Sequence, residues 1–174
     1  MNPLMRAAQR LETLDLLDPA IDPVRRVVQP LMGGGSAGDV LGGGWLGHPV
    51  HPLLIVVPIG FLSAAATLDA VGGRDGERPA EWLLGVGLLG MAPTVATGLS
   101  DWSRADRPAQ RVGAVHALAN VLGGLLAWRS YQTRRRGDAP RARRLLRLGL
   151  AAIGVGGYLG GHLTYALGVR VERG

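Results

Sequence analysis

The sequence predicts an all-α integral membrane protein, a four-helix bundle preceded by an N-terminal amphipathic surface segment. Hydrophobic residues make up 47% of the 174 positions while aromatics make up 5%, so the apolar content is mainly Leu, Val and Ala, accompanied by 28 glycines. That composition suits helices that approach closely in lipid, where small residues line the contacts. Several apolar runs approach the ~20 residues that a helix rising about 1.5 Å per residue needs to cross ~30 Å of hydrocarbon. All 19 basic residues are arginine, and they fall between the apolar runs. Despite the net charge of +6 and a pI near 11.1, this spacing reads as membrane topology and not as a nucleic-acid surface.

The chain has no cysteine, which removes disulfides, iron–sulfur ligands and thiolate metal sites from consideration. Met1 to Gln29 carries Asp and Glu through its middle and lacks the uninterrupted apolar core of a signal peptide. Insertion is therefore expected to be directed by the internal apolar segments.

Residues 1–46 read as an interfacial segment ending in a glycine-rich hinge. Leu and Val recur at mixed helical spacing through 3–32, and Pro19, Pro23 and Pro30 limit any helix there to two or three turns. Such short pieces would lie on the membrane surface or on the bundle. Gly33 to Gly38 is expected to act as a flexible hinge, and Trp45 is placed as an interfacial anchor.

Residues 47–172 are expected to hold four crossings, at about 51–71, 82–100, 112–128 and 148–169. Pro58 inside the first removes a backbone hydrogen bond and leaves the carbonyl of Leu54 unused, which predicts a kink. Asp69, at the far end, is expected to cap or pair near the opposite face. Pro93 and Gly85, Gly87, Gly90 and Gly98 mark the second crossing. Two interleaved pairs, Gly156/Gly160 and Gly157/Gly161, mark the fourth. These allow another helix to come close or leave a slot for a flat ligand.

Four antiparallel crossings put the 1–2 and 3–4 turns on one side. Those turns hold ten arginines, Arg74, Arg78 and the eight from Arg129 to Arg147, against five in the 2–3 loop and C-terminal tail, Arg104, Arg107, Arg111, Arg170 and Arg173. The positive-inside rule then puts the turns in the cytoplasm and both termini outside, with Arg6, Arg10, Arg25 and Arg26 narrowing the margin.

This topology gathers all four histidines toward one face. His48 and His51 open the first crossing, His116 lies a turn inside the third, and His162 lies about two turns from the end of the fourth. Asp101 and Trp102 end the second crossing on the same side. Ionisable groups inside a bilayer are costly and point to function by default, although each histidine also has a structural reading. His48 suits a solvent-facing turn, His51 can cap a helix that begins with Pro52, and His116 and Asn120 are i,i+4 neighbours able to hydrogen-bond across the bundle. His162, beside Gly160 and Gly161 and one turn from Tyr165, is the hardest to keep out of the interior.

Three chemistries fit His51, His116 and His162, with His48 a weaker member and Asp101, Asn120, Tyr165 and Trp102 as supporting groups. Two facing imidazoles can ligate haem b axially. Three histidines with Asp101 can hold a divalent transition metal. The same groups can pass protons or bind a quinone headgroup. No HExxH, phosphate loop or GxSxG elbow is present, and no catalytic residue is assigned.

The runs Trp45-Leu46-Gly47-His48-Pro49-Val50-His51-Pro52, Pro58-Ile59-Gly60, Gly98-Leu99-Ser100-Asp101-Trp102 and Gly160-Gly161-His162-Leu163-Thr164-Tyr165 stand beside Asp69, His116, Asn120 and Gly168-Val169. Together they resemble the bacterial membrane-protein family called domain of unknown function 2231, over about residues 40–172. The resemblance implies a small four-helix domain of the bacterial cytoplasmic (inner) membrane. Some relatives carry a Rieske iron–sulfur domain, which implies electron transfer; with no such domain here, the partner would be a separate electron-transfer protein or a quinone.

The resulting expectation is a membrane redox or metal-binding module, with haem b slightly favoured over a divalent transition metal. Beyond the lipid bilayer and that electron partner, a homo-oligomer is also weighed. The alternative is a non-catalytic membrane scaffold or assembly subunit whose histidines only join helices. A small transporter or proton-conducting unit ranks third, because four short helices without internal repeats make a cramped pathway.

Overall fold

A computed structural model describes residues 2–171. Arg173, counted above in the C-terminal tail, and residue 172, the expected end of the membrane domain, lie outside the described residues. Helices are the only regular structure among the described residues, joined by turns. The chain is all-α and membrane-like.

The N-terminal segment is helical almost throughout. Helix α1 (Pro3–Glu12) starts where the Asn2 side chain accepts from the Leu4 amide and Pro3 takes the first turn. A 3-10 turn at Asp15–Leu17 leads into α2 (Asp18–Met32). This helix continues through Pro23 and Pro30, although prolines were expected to stop it. Pro19 falls in its first turn at no cost, and ion pairs from Asp18 and Asp22 together with buried Ile21 hold the remainder. The expected hinge is also shorter than its glycines suggested, because α3 (Gly35–Gly42) begins inside it. Arg104 donates to the Gly38 carbonyl at 2.7 Å and ties that helix down. Gly43, at φ 84°, ends α3; a Cβ there would lie 2.0 Å from the His48 carbonyl oxygen, so only glycine fits.

Four longer helices follow. Helix α4 (His51–Val71) is interrupted by a turn at Ile55. The proline effect predicted there is met with a partner: the Leu54 carbonyl accepts from the Thr94 hydroxyl at 3.2 Å. Helix α5 (Glu77–Arg104) runs through Pro93, and α6 (Arg107–Arg135) and α7 (Ala139–Tyr165) continue well into the arginine-rich stretch expected as a loop. The connection is tight because Gly137 adopts φ 84° and the Asp138 carboxylate accepts from the Arg141 amide. Asp106 likewise accepts from the Ala109 amide at the start of α6. Among the described residues, α4, α5 and α6 are long and apolar enough to cross a membrane. Helix α7, where the fourth crossing was expected, has the length but opens with Arg141, Arg143, Arg144 and Arg147, and it ends at Tyr165, before Val169.

The chain divides into two compact units. The second, residues 52–94 and 119–154, has a core of Leu62, Ala65, Ala80, Leu84, Ala127, Leu146 and Ile153. Glycine brings two of its helices together: a Cβ at Gly123 would meet Ile153 at 2.5 Å and the Gly149 carbonyl at 2.8 Å. Within this unit Asp69 pairs with Arg134 through two hydrogen bonds of 2.9 and 2.7 Å, with side chains only 7% and 4% exposed. Arg143 lies 3.8 Å from the same carboxylate and 2.9 Å from Glu77. The first unit, residues 1–51, 95–118 and 155–174, packs Ala8, Val112 and Leu159 against Leu11, Val115, Leu163 and Leu167.

A buried charge left without its partner costs far more than an intact pair contributes. Asp69→Asn should therefore lower stability by about 3–5 kcal/mol. The double substitution Asp69→Leu with Arg134→Met should recover most of that loss. Denaturant unfolding of the detergent-solubilised full chain measures both.

Candidate functional site

Of the candidate residues, His48, His51, Asp101, Trp102, His116, His162 and Tyr165 all belong to the first unit, and Asn120, half-buried, belongs to the second. His51 opens α4, and its Nδ1 lies 3.1 Å from the Thr97 hydroxyl on α5. Its ring fills the space over Gly98, where a Cβ would come within 2.9 Å of Cε1. On α6, His116 places Nδ1 2.7 Å from the Gly156 carbonyl of α7. A carbonyl only accepts, so Nδ1 is the donor of this hydrogen bond. The ring again sits on a glycine, Gly160, whose Cβ would be 3.1 Å from Cε1.

His162 is the most enclosed, its side chain 3% exposed. Its Nε2 is 2.8 Å from the Glu12 carboxylate of α1, and its Nδ1 is buried with no hydrogen-bond partner among the described residues. The remaining candidates turn elsewhere. His48 is exposed in the turn before α4, and Asp101 pairs with Arg170 at 3.1 Å. Trp102 donates from Nε1 to the Gln110 carbonyl at 2.9 Å and lays its ring on Gly113. Tyr165 is 90% exposed. No group of three or more His, Cys, Asp or Glu side chains stands in metal-holding geometry among the described residues.

Sequence reasoning missed the carboxylates of the N-terminal segment. Glu12 reaches His162, while Asp15 and Asp18 meet Arg111 and Asp22 meets Arg107 at 2.8 Å. Arg111 forks onto Asp18 at 2.9 and 2.8 Å and donates to the Glu12 carbonyl at 3.0 Å. Ser100 donates to the Met32 carbonyl at 2.7 Å. A signal was present in the spacing: Glu12, Asp15, Asp18 and Asp22 recur every three or four residues, as do Arg104, Arg107 and Arg111.

A family model described as a predicted membrane protein, domain of unknown function 2231, matches residues 47–173. The chain belongs to this family. No curated protein and no solved structure matches it. All four histidines lie inside the family domain, whereas Glu12, Asp15, Asp18 and Asp22 lie before it. His162 of the domain thus takes its partner from the preceding segment.

Two outcomes follow. The Gly160→Val variant forces the His116 ring off Gly156 and leaves a part-buried polar group unmatched, at a cost of about 1–3 kcal/mol in unfolding measurements. The Asp18 carboxyl is held below the usual carboxylate range, first by the hydrogen bonds from Arg111 and then by the charges of Arg111 and Arg107. A lowered value means that attachment of α2 is fully supported above the ordinary aspartate range, about 3.9, and is lost as pH falls through the lowered value. Hydrogen exchange across 18–32, corrected for its intrinsic pH dependence, should stay slow at pH 6 and accelerate under strong acid.

Proposed function

We propose that the chain is a redox or metal-binding module of the bacterial cytoplasmic membrane, with haem b the leading cofactor and His51, His116 and His162 the ligand candidates. The observation that carries the reading is the 2.7 Å hydrogen bond from His116 Nδ1 to the Gly156 carbonyl, which fixes the orientation of the ring. Ligating histidines are characteristically oriented this way, by a carbonyl or carboxylate on the other ring nitrogen. His162, held at Nε2 by Glu12, has the same logic with its nitrogens exchanged. A haem would need two imidazoles, for which His116 on α6 and His162 on α7 are the candidates. Bound haem supplies a one-electron couple whose potential follows axial ligation, hydrogen bonding to the ligands and burial. The electron partner is a separate protein or a quinone.

A second reading, a non-catalytic scaffold or assembly subunit, is favoured by a different observation. Each of these imidazoles joins two elements: His51 joins α4 to α5, His116 joins α6 to α7, and His162 joins α7 to α1. In both readings α7 is the fourth crossing, and the arginine balance puts the 1–2 and 3–4 turns in the cytoplasm and the termini outside.

The detergent-purified protein should show a Soret band that shifts on dithionite reduction and disappears in His116→Ala. A colourless preparation free of metal rejects the redox reading and leaves the scaffold. A reporter fused after Gly174 should be active outside the cytoplasm; cytoplasmic activity reverses the orientation.

A further inference from the structure

Helix α2 is amphipathic with its faces reversed relative to a helix on a soluble core. Asp18 and Asp22 turn toward Arg111 and Arg107 of the family domain, and Ile21 beside them is buried. The opposite face carries Ala20, Val24, Val27 and Leu31 at i, i+4, i+7 and i+11, one stripe of a 3.6-residue helix. All four are exposed, Val24 at 47%, Val27 at 61% and Leu31 at 63%. Apolar exposure continues in the same unit through Val40 at 60% and Trp45 at 70%, whose indole donates to the Val40 carbonyl at 3.1 Å. A contiguous apolar face of this kind calls for a covering phase.

We infer that the outward stripe of α2, Val24, Val27 and Leu31, is seated in bilayer lipid at the boundary between headgroups and acyl chains, while its ion pairs fasten it to the family domain. Lipid is the occupant because of where the helix is tied. Arg107 and Arg111 stand in the first turns of α6, one of the three helices apolar enough to cross a membrane. The first turn of such a span lies at the membrane interface. Exposed Trp45 is of the residue type that collects at that level. Residues 2–46 therefore serve the domain as a two-faced strap, ionic inward and apolar outward. This inference is independent of any cofactor at the histidines.

The absence of cysteine makes the test direct. Val24→Cys, Val27→Cys and Leu31→Cys replace exposed side chains and remove no buried contact. Each single variant of the full chain is spin-labelled and reconstituted into vesicles of phosphatidylcholine and phosphatidylglycerol at 3:1. All three labels should collide with oxygen several-fold more often than with a water-soluble nickel chelate. Free access of the nickel chelate places the stripe in water and overturns the inference. Exclusion of both reagents also overturns it, because a protein surface, a second copy or another subunit, then covers the stripe. Agreement among three positions guards against a local disturbance at any one.

Discussion

A charge or imidazole carried into an apolar helix has to find its partner within the chain, because lipid offers none. This constraint organises both compact units. In the second, Asp69 near the end of α4 meets Arg134 of α6 in a fork of two hydrogen bonds, and Arg143 of α7 stands beside the same carboxylate. In the first, His51, His116, His162 and Asp101 each reach a partner on a different element. The polar residues therefore specify which helices meet, while the apolar residues, largely interchangeable in lipid, specify little of it.

Glycine makes those meetings close. His51 lies on Gly98, His116 on Gly160 and Trp102 on Gly113, each ring filling the space a side chain would take and spending one nitrogen on a hydrogen bond to the neighbouring turn. The same geometry holds the helices together and fixes the rings. A redox module needs fixed rings, and a scaffold needs joined helices, which is why one set of contacts supports both readings and cofactor chemistry has to separate them.

The N-terminal segment joins the family domain by the same means. Its carboxylates at 12, 15, 18 and 22 meet His162, Arg111 and Arg107. The strap thereby encloses His162, the most buried histidine of the domain, using a residue the domain itself does not carry.

The helical class, the apolar runs, the unused Leu54 carbonyl ahead of Pro58 and the family were legible in the sequence because each depends on local composition and spacing. Helix length was legible only in part. Pro23 and Pro30 did not stop α2, and the arginines after 129 did not end α6, because ion pairs with distant residues outweigh those local penalties. Likewise, gathering four histidines on one side by topology said nothing of their partners. Asp101 turned to Arg170 and Tyr165 turned outward, while Glu12, remote in sequence, reached His162. Sequence alone determined a membrane-inserting helical chain with costly polar groups at known positions. Only the tertiary structure decided which group answers which, because hydrogen bonds and ion pairs act over a few ångströms between residues that lie up to 150 positions apart along the chain.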